Sequence, residues 1–389
     1  MNDLGATQLS AIRALLARRQ DEILGSICKL VEAESPSGDF EGSCAVVDLL
    51  VDMARTIPAI TSVERTPVPG YGEHLRVRAF DGQAGDQRTT LVLGHTDTVH
   101  PRGTLSTQGV HADAGRLYGP GIFDMKGSCV IALEALRTLV TLEFIPKRPV
   151  VLLLTCDEET GSQTGRLLVE EETRGAAQVL VLEPSAPGGH VKTLRKGVGM
   201  WIVTAHGIAS HAGLNPEAGA SAILELARQT DRFHAMSDPA SGTNFNVGVV
   251  RGGTRSNVIP AEAEIEIDVR FNCTKEAQRV DELMKSLQSF DDRVQLTVTG
   301  GINRGPLERT EGVVKLYQRA REIAACLGFD LGEQSVGGAS DGNFVAALGV
   351  PVLDGLGIDG GGAHAANEHI LISDVALRGA LLAGLIATL

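Results

Sequence analysis

The 389-residue chain reads as an α/β protein whose main domain is interrupted by a smaller α+β domain. Three observations carry that reading. Short apolar runs alternate with helical patterns in the first half, the texture changes to period-two alternation near Arg195, and the first texture returns from about Pro306. The expected division is a main domain built from residues 1–194 and 306–389 and an inserted domain over 195–305. A chain of this length accommodates two hydrophobic cores.

Residues 1–30 mix apolar positions with Arg13, Arg18, Arg19, Asp21 and Glu22, the pattern of an amphipathic helix. A secretory leader needs an unbroken apolar stretch before a small-residue cleavage site, so this segment is not read as one. No run reaches the roughly 20 apolar residues of a membrane span. The six cysteines are scattered and form no C-x-x-C pair. That usage fits a reduced, cytoplasmic setting and gives no chelating spacing for structural zinc.

Runs 89–94, 149–155 and 178–182 are apolar almost throughout, as parallel strands buried on both faces would be. Helical patterns occupy 125–140 and 165–172. Beyond Arg195, 198–205 and 261–271 alternate, the second as Ala-Glu-Ala-Glu-Ile-Glu-Ile-Asp-Val-Arg-Phe. With helices expected at 216–236 and 275–290, and strands at 244–250 and 294–299, the order is β-α-β-β-α-β. That is the signature of a ferredoxin-like domain. A helix at 312–327, a glycine-rich turn, another helix, an apolar run at 350–353 and a C-terminal helix complete the main domain.

Net charge is −13, from 35 Lys+Arg against 48 Asp+Glu. Such a chain is a poor electrostatic partner for nucleic acid or an anionic membrane surface. Neither a P-loop nor a strand-linked G-x-G-x-x-G is present, which removes nucleotide-dependent chemistry.

Each of the three expected parallel strands runs into a group able to bind metal: His95, the Asp157-Glu158-Glu159 triplet, and Glu183. Ligands of open parallel sheets collect outside the carboxyl ends of the strands, so these groups should converge. A lone histidine after a strand is usually structural; three such strand ends are harder to assign to coincidence. Asp97, two residues past His95, lies on the same side of an extended chain and can accept the N–H of a metal-bound imidazole. Its alternative is a turn or capping role. Asp124 follows a glycine-rich stretch and precedes a helix, so it is either a cap, a ligand, or both. Adjacent Glu158 and Glu159 past a buried strand need positive compensation. In extended backbone they would point opposite ways, one to a cation and one to substrate. His364 sits in a glycine-rich segment, with Glu368 and His369 read as helix-start or surface groups. His74, His100, His111, His190 and His234 have no supporting context. Arg270, at the end of the alternating strand, could clasp a carboxylate with two parallel hydrogen bonds.

Assembled, these residues make the chain resemble the M20 family of metallopeptidases, most closely its glutamate carboxypeptidase branch. The resemblance spans nearly the whole length. It rests on Gly94-His95-Thr96-Asp97-Thr98-Val99, on 119–127 and 155–162, on Glu183-Pro184-Ser185 and Ser210-His211-Ala212-Gly213, and on the His364 segment, all in order. It implies a zinc-dependent exopeptidase-like catalytic domain with an inserted ferredoxin-like lid and dimerisation domain. Two zinc ions per subunit would be bridged by Asp124, one completed by His95 and Glu183 and the other by Glu159 and His364. Glu158 would be the catalytic carboxylate and Asp97 the orienter of His95. His211 would reach the partner subunit's active site in a homodimer to stabilise charge on the substrate oxygen. Asn257 and Gly338 match family positions that contact substrate beside Arg270, and Arg304 is a loose candidate for a second cation. The implied reaction is release of a C-terminal glutamate or similar residue from a small peptide or N-acyl conjugate. The alternative is N-acyl-amino-acid deacylation of the acetylornithine or succinyl-diaminopimelate type. A fold retained without activity is the contrasting explanation, but every expected ligand is present.

Overall fold

The computed structural model describes residues 4–389. They form two compact units, one from the described part of Met1–Thr193 with Arg309–Val336 and Ser340–Leu389, the other from Leu194–Glu308 with Gly337–Ala339.

The first unit is built on a six-stranded sheet. Its centre is Val150–Thr155, Thr89–His95 and Ala176–Val181, side by side and parallel, with Val352–Leu353 continuing the parallel set. Val150–Thr155 is buried at every position, which is why its sequence is apolar without alternation. Because the central strands are parallel, their carboxyl ends lie along one edge. On the other side the sheet turns antiparallel through the hairpin Ile60–Val68 and Gly72–Ala79, which the sequence pattern did not announce.

Helices enclose this sheet. The single amphipathic helix expected over 1–30 is two, Ala6–Arg18 and Gln20–Glu32, broken at Arg19. The Arg19 guanidinium bonds Glu134 at 3.0 Å and Glu22 at 2.8 Å, anchoring the break. Phe40–Arg55 begins at Asp39, whose carboxylate accepts the Gly42 N–H. The C-terminal helix Val375–Thr388 is apolar on nearly every side and buried almost throughout, as a helix enclosed by others must be. Leu9, Leu16, Leu133, Leu152, Ile323 and Leu381 belong to the single core beneath.

The second unit has a four-stranded antiparallel sheet in the order Asn244–Gly252, Glu262–Phe271, Gly197–His206, Gln295–Arg304. The chain-order sequence of strand and helix, with Ala222–Ala235 and Thr274–Lys285 as the helices, is the expected ferredoxin-like one. Alternate residues of Glu262–Phe271 are buried, so Ile265, Ile267, Val269 and Phe271 pack with Trp201, Phe233 and Phe245. The first helix starts later than 216 because residues 216–218 form a separate turn and Ser221 caps the helix through the Leu224 N–H. The second ends at Lys285. Beyond it, buried Glu225 accepts the N–H groups of Phe290 and Asp291 and fixes the connecting loop.

No helix among the described residues is long and apolar enough to cross a membrane.

Candidate metal centre

The parallel strands deliver their terminal groups to one place. His95 is the last residue of Thr89–His95, Glu158 and Glu159 follow Val150–Thr155, and Glu183 follows Ala176–Val181. Asp124 and His364 arrive from irregular turns. Asp124 lies in the turn 122–126, entered through Gly121 at φ +70°, where any side chain would press within 2.3 Å of Thr98 Cγ2. The Asp124–Met125 peptide is cis. Asp124 caps nothing: the helix Gly127–Thr141 has Lys126 at its N-cap and no side-chain cap. His364 adopts the left-handed region at φ +63°, uncommon for a residue with a side chain.

The result is two groups of three around a shared carboxylate: His95, Asp124 and Glu183, and Asp124, Glu159 and His364. His95 Nε2 lies 3.2 Å from Asp124 Oδ1 and 3.6 Å from Glu183 Oε1. His364 Nε2 lies 3.3 Å from both Asp124 Oδ2 and Glu159 Oε2. Two ligand atoms each about 2.0–2.1 Å from a tetrahedral ion stand roughly 3.3 Å apart, so these spacings are those of ligand pairs around a common centre. The Oε1 of Glu159 is buried and has no hydrogen-bond partner, a costly arrangement that a cation relieves. The donor set of imidazole and carboxylate suits zinc and related divalent ions.

The electrostatics point the same way. Hydrogen bonds to Asp124 and Glu159 raise the His364 pKa to about 10, against the opposing pull of burial. Burial also disfavours charge on His95, yet contacts with Asp124, Asp97 and Glu183 hold its pKa well above the usual value. Asp124 is buried, which favours its neutral form, but the two imidazoles outweigh this and lower its pKa. For Glu159 burial prevails over the His364 contact and its pKa is raised. The carboxylates demand positive charge between them, and here protons on the His95 and His364 rings supply it.

Asp97 is more widely used than its spacing suggested. His95 Nδ1 is nearest the Asp97 main-chain oxygen, at 3.0 Å, with the carboxylate at 3.4 Å. The carboxylate instead accepts the N–H of Glu158 at 3.2 Å, the N–H of Glu159 at 3.1 Å and the Ser37 hydroxyl at 2.7 Å. Glu158 and Glu159 open a tight turn, Glu158–Thr160, and are not in extended backbone. Their different directions come from that turn: Glu159 faces His364, while Glu158 is 9 % exposed beside it.

Two residues without a sequence signal, His74 and Glu368, support the centre. His74 accepts the Cys156 N–H at Nδ1, 3.2 Å away, which leaves Nε2 to donate to Thr164 Oγ1 at 3.0 Å. Thr164 in turn donates its N–H and hydroxyl to Asp157. His74, Cys156 and Asp157 are spaced like metal ligands. Both ring nitrogens and the carboxylate are already engaged, so the trio is a brace for the 156–164 loop. Glu368, read as a helix-start or surface group, is 2 % exposed and bonds His100 at 2.6 Å. Its partners lie more than 240 residues away in sequence, beyond any local pattern.

The remaining candidates lie in the second unit. His211 is exposed, and its Nδ1 accepts the Gly213 N–H at 3.1 Å. Arg270 makes two bonds to Asp268, at 2.7 and 2.8 Å, through Nε and one terminal nitrogen. Asn257 is exposed, and its main-chain oxygen accepts the Ala212 N–H. The Gly338 main-chain oxygen accepts a hydrogen bond from the Arg195 guanidinium at 3.2 Å, and a Cβ there would meet nothing closer than 3.9 Å, so crowding does not require glycine. Arg304 is buried at 6 % exposure.

Comparison with known proteins agrees with this geometry. Peptidase family M20/M25/M40 matches residues 91–388. The chain is 30% identical over 380 residues to carboxypeptidase G2 of Pseudomonas sp. (strain RS-16), covering 95% of this chain and 90% of that protein. It is 30% identical over 325 residues to succinyl-diaminopimelate desuccinylase of Acidovorax ebreus (strain TPSY), covering 77% and 80% respectively. Aminopeptidase PepT from Bacillus cereus ATCC 10987 shares the fold with a TM-score of 0.76 at 21% identity, covering 95% of this chain and 98% of that one. A family match over most of the chain, with a relative at 30% identity along nearly its whole length, settles the assignment: the chain belongs to peptidase family M20/M25/M40.

Proposed function

We propose that the protein is a two-zinc carboxypeptidase that releases a C-terminal glutamate or similar amino acid from a small peptide or N-acyl conjugate. The observation that carries the two-metal part is the Asp124 carboxylate, whose two oxygens face different histidines at 3.2 and 3.3 Å. Its family supports hydrolysis, and its likeness along 95% of the chain to carboxypeptidase G2 supports the carboxypeptidase reading.

In this proposal His95, Asp124 and Glu183 hold one zinc and Asp124, Glu159 and His364 the other. Bound there, the ions would lower the proton affinity of a water and polarise the substrate carbonyl. Glu158 would take a proton from the attacking water as the water oxygen bonds the amide carbon, and return it to the nitrogen as the C–N bond breaks. Its main-chain N–H is fixed by Asp97, which sets the starting point of its side chain. The His211 ring accepts at Nδ1, so its proton sits on Nε2, available as a donor to developing oxyanion charge. We assign that donor to the second subunit of a homodimer. The exposed edge strand Asn244–Gly252, with Val250 68% exposed, supports a subunit contact on this unit. Arg270, with Asn257 and Gly338, is assigned to the substrate carboxylate.

A second reading, N-acyl-amino-acid deacylation, is favoured by the likeness to succinyl-diaminopimelate desuccinylase. The separating experiment is an amide panel on zinc-loaded protein, with and without chelator. It contains peptides ending in glutamate, N-acylglutamates, acetylornithine and succinyl-diaminopimelate. Turnover of the glutamate compounds is expected. Turnover restricted to the last two substrates sinks the carboxypeptidase assignment, and no chelator-sensitive turnover at all sinks both.

A further inference from the structure

Glu368 joins three segments that lead to assigned ligands, two through its carboxylate and one through its main chain. Oε1 accepts the N–H groups of Phe123 and Asp124, each at 2.9 Å. Oε2 accepts the N–H of Gly121 at 2.9 Å and faces His100 Nε2 at 2.6 Å. The main chain adds to this: Gly119 N–H donates to the Glu368 oxygen, and the Glu368 N–H closes a turn onto Ala365, next to His364. His369 then pairs with both Gly361 and Tyr118. Buried Glu368 therefore touches the turn that presents Asp124 and the stretch that leaves His95 through its side chain, and the turn that presents His364 through its main chain.

From this we infer that Glu368 is a positioning residue for the bridging carboxylate: it fixes the Asp124 turn relative to His364 and thereby sets how strongly the centre holds its second ion. The inference rests on the two-metal reading. Hydrogen bonds to an ionised carboxylate are about twice as strong as neutral ones, and here three main-chain donors converge on it. An amide in its place offers one acceptor oxygen, so its NH2 group must confront either the Phe123 and Asp124 donors or those of Gly121 and His100. The turn then has to shift, and the separation of the Asp124 oxygens from the two histidines shifts with it. Ring tautomer at His100 follows the same contact, with Nε2 donating to Oε2.

The test is metal uptake, measured apart from turnover. Chelator-stripped wild-type protein, E368Q and E368D are titrated calorimetrically with Mn2+, and the loaded proteins are compared by electron paramagnetic resonance. Wild type is expected to take two ions and give the spectrum of an exchange-coupled pair. E368Q, with unchanged far-ultraviolet circular dichroism, should keep one ion and bind the second roughly 10- to 100-fold more weakly, with the coupled signal lost. E368D keeps the charge one methylene short and should restore part of that affinity, which a merely space-filling role would not do. E368Q that binds two ions with wild-type affinities and spectrum overturns the inference. Wild type that takes up fewer than two ions overturns the two-ion reading and the inference together. Should E368Q fail to fold, H100N removes a single partner of Oε2; unchanged second-ion affinity in that variant overturns the inference as well.

Discussion

Asp97 holds the main-chain N–H of Glu158 at 3.2 Å with one carboxylate oxygen while its other oxygen holds the neighbouring amide of Glu159. A single buried side chain thus fixes both the residue assigned as base and an assigned ligand. Replacing Asp97 by Asn puts an NH2 group against one of these donors. Metal affinity is expected to fall about 10- to 100-fold, read by calorimetric titration, together with kcat. An Asp97→Asn enzyme with wild-type metal affinity and rate would remove Asp97 from the machinery.

Glu158 is proposed to move a proton, not to hold metal. Glu158→Gln keeps the shape of the side chain, and its kcat is expected to drop by roughly 10²–10⁴. Elemental analysis should still find the wild-type metal content. Loss of metal in this variant would move Glu158 into the ligand set.

His74 supports the loop that carries both glutamates. His74→Leu leaves the Cys156 N–H without its acceptor in a buried site, a loss of about 1–3 kcal/mol. Urea unfolding measures it. Stability equal to wild type would show that the loop closes without the brace.

Removing metal should weaken the fold as well as the chemistry. With the ions gone, Asp124, Glu159 and Glu183 face one another with only imidazole protons between them. At a free metal concentration a hundred times Kd, binding contributes about 2.7 kcal/mol. Calorimetric melting with and without chelator should show a lower Tm for the stripped protein. Identical melting curves would mean that no ion binds at this site in the native state.

Acid stability offers a test at the start of the helix Phe40–Arg55. The hydrogen bond from Arg102, with the Gly42 N–H at the helix start, lowers the Asp39 pKa despite partial burial. A depressed folded-state pKa contributes stability above the unfolded value near 3.9, and this is lost as pH falls through the folded value. Asp39→Asn still caps the helix but cannot titrate, so its unfolding free energy should depend less steeply on pH below about 4. An unchanged slope would assign the acid sensitivity elsewhere.

The central strands were legible because burial on both faces leaves no room for polar alternation, and their ends named His95, Glu158, Glu159 and Glu183 directly. The alternating strand Glu262–Phe271 was legible for the opposite reason: one face is buried and the other wet. The strand Ile60–Val68 was not, since its residues are mostly exposed and carry neither pattern. Arg19 breaks the N-terminal helix without a proline or glycine, and its partner Glu134 is 115 residues away. His74 and Glu368 were invisible for a related reason. A sequence displays a charged or aromatic side chain, but the amide groups that make it indispensable come together only through the fold.

The late arrival of Val375–Thr388 has a consequence for synthesis. Nearly all of the second unit precedes residue 309, so it can bury its own core before Val352–Leu353 and Val375–Thr388 are made. Until residue 375 is passed, the nascent first unit lacks the helix whose Leu381, Leu382 and Leu385 share a core with Leu133 and Leu139. A chain stopped short of residue 375 is therefore expected to leave that apolar surface exposed and to aggregate.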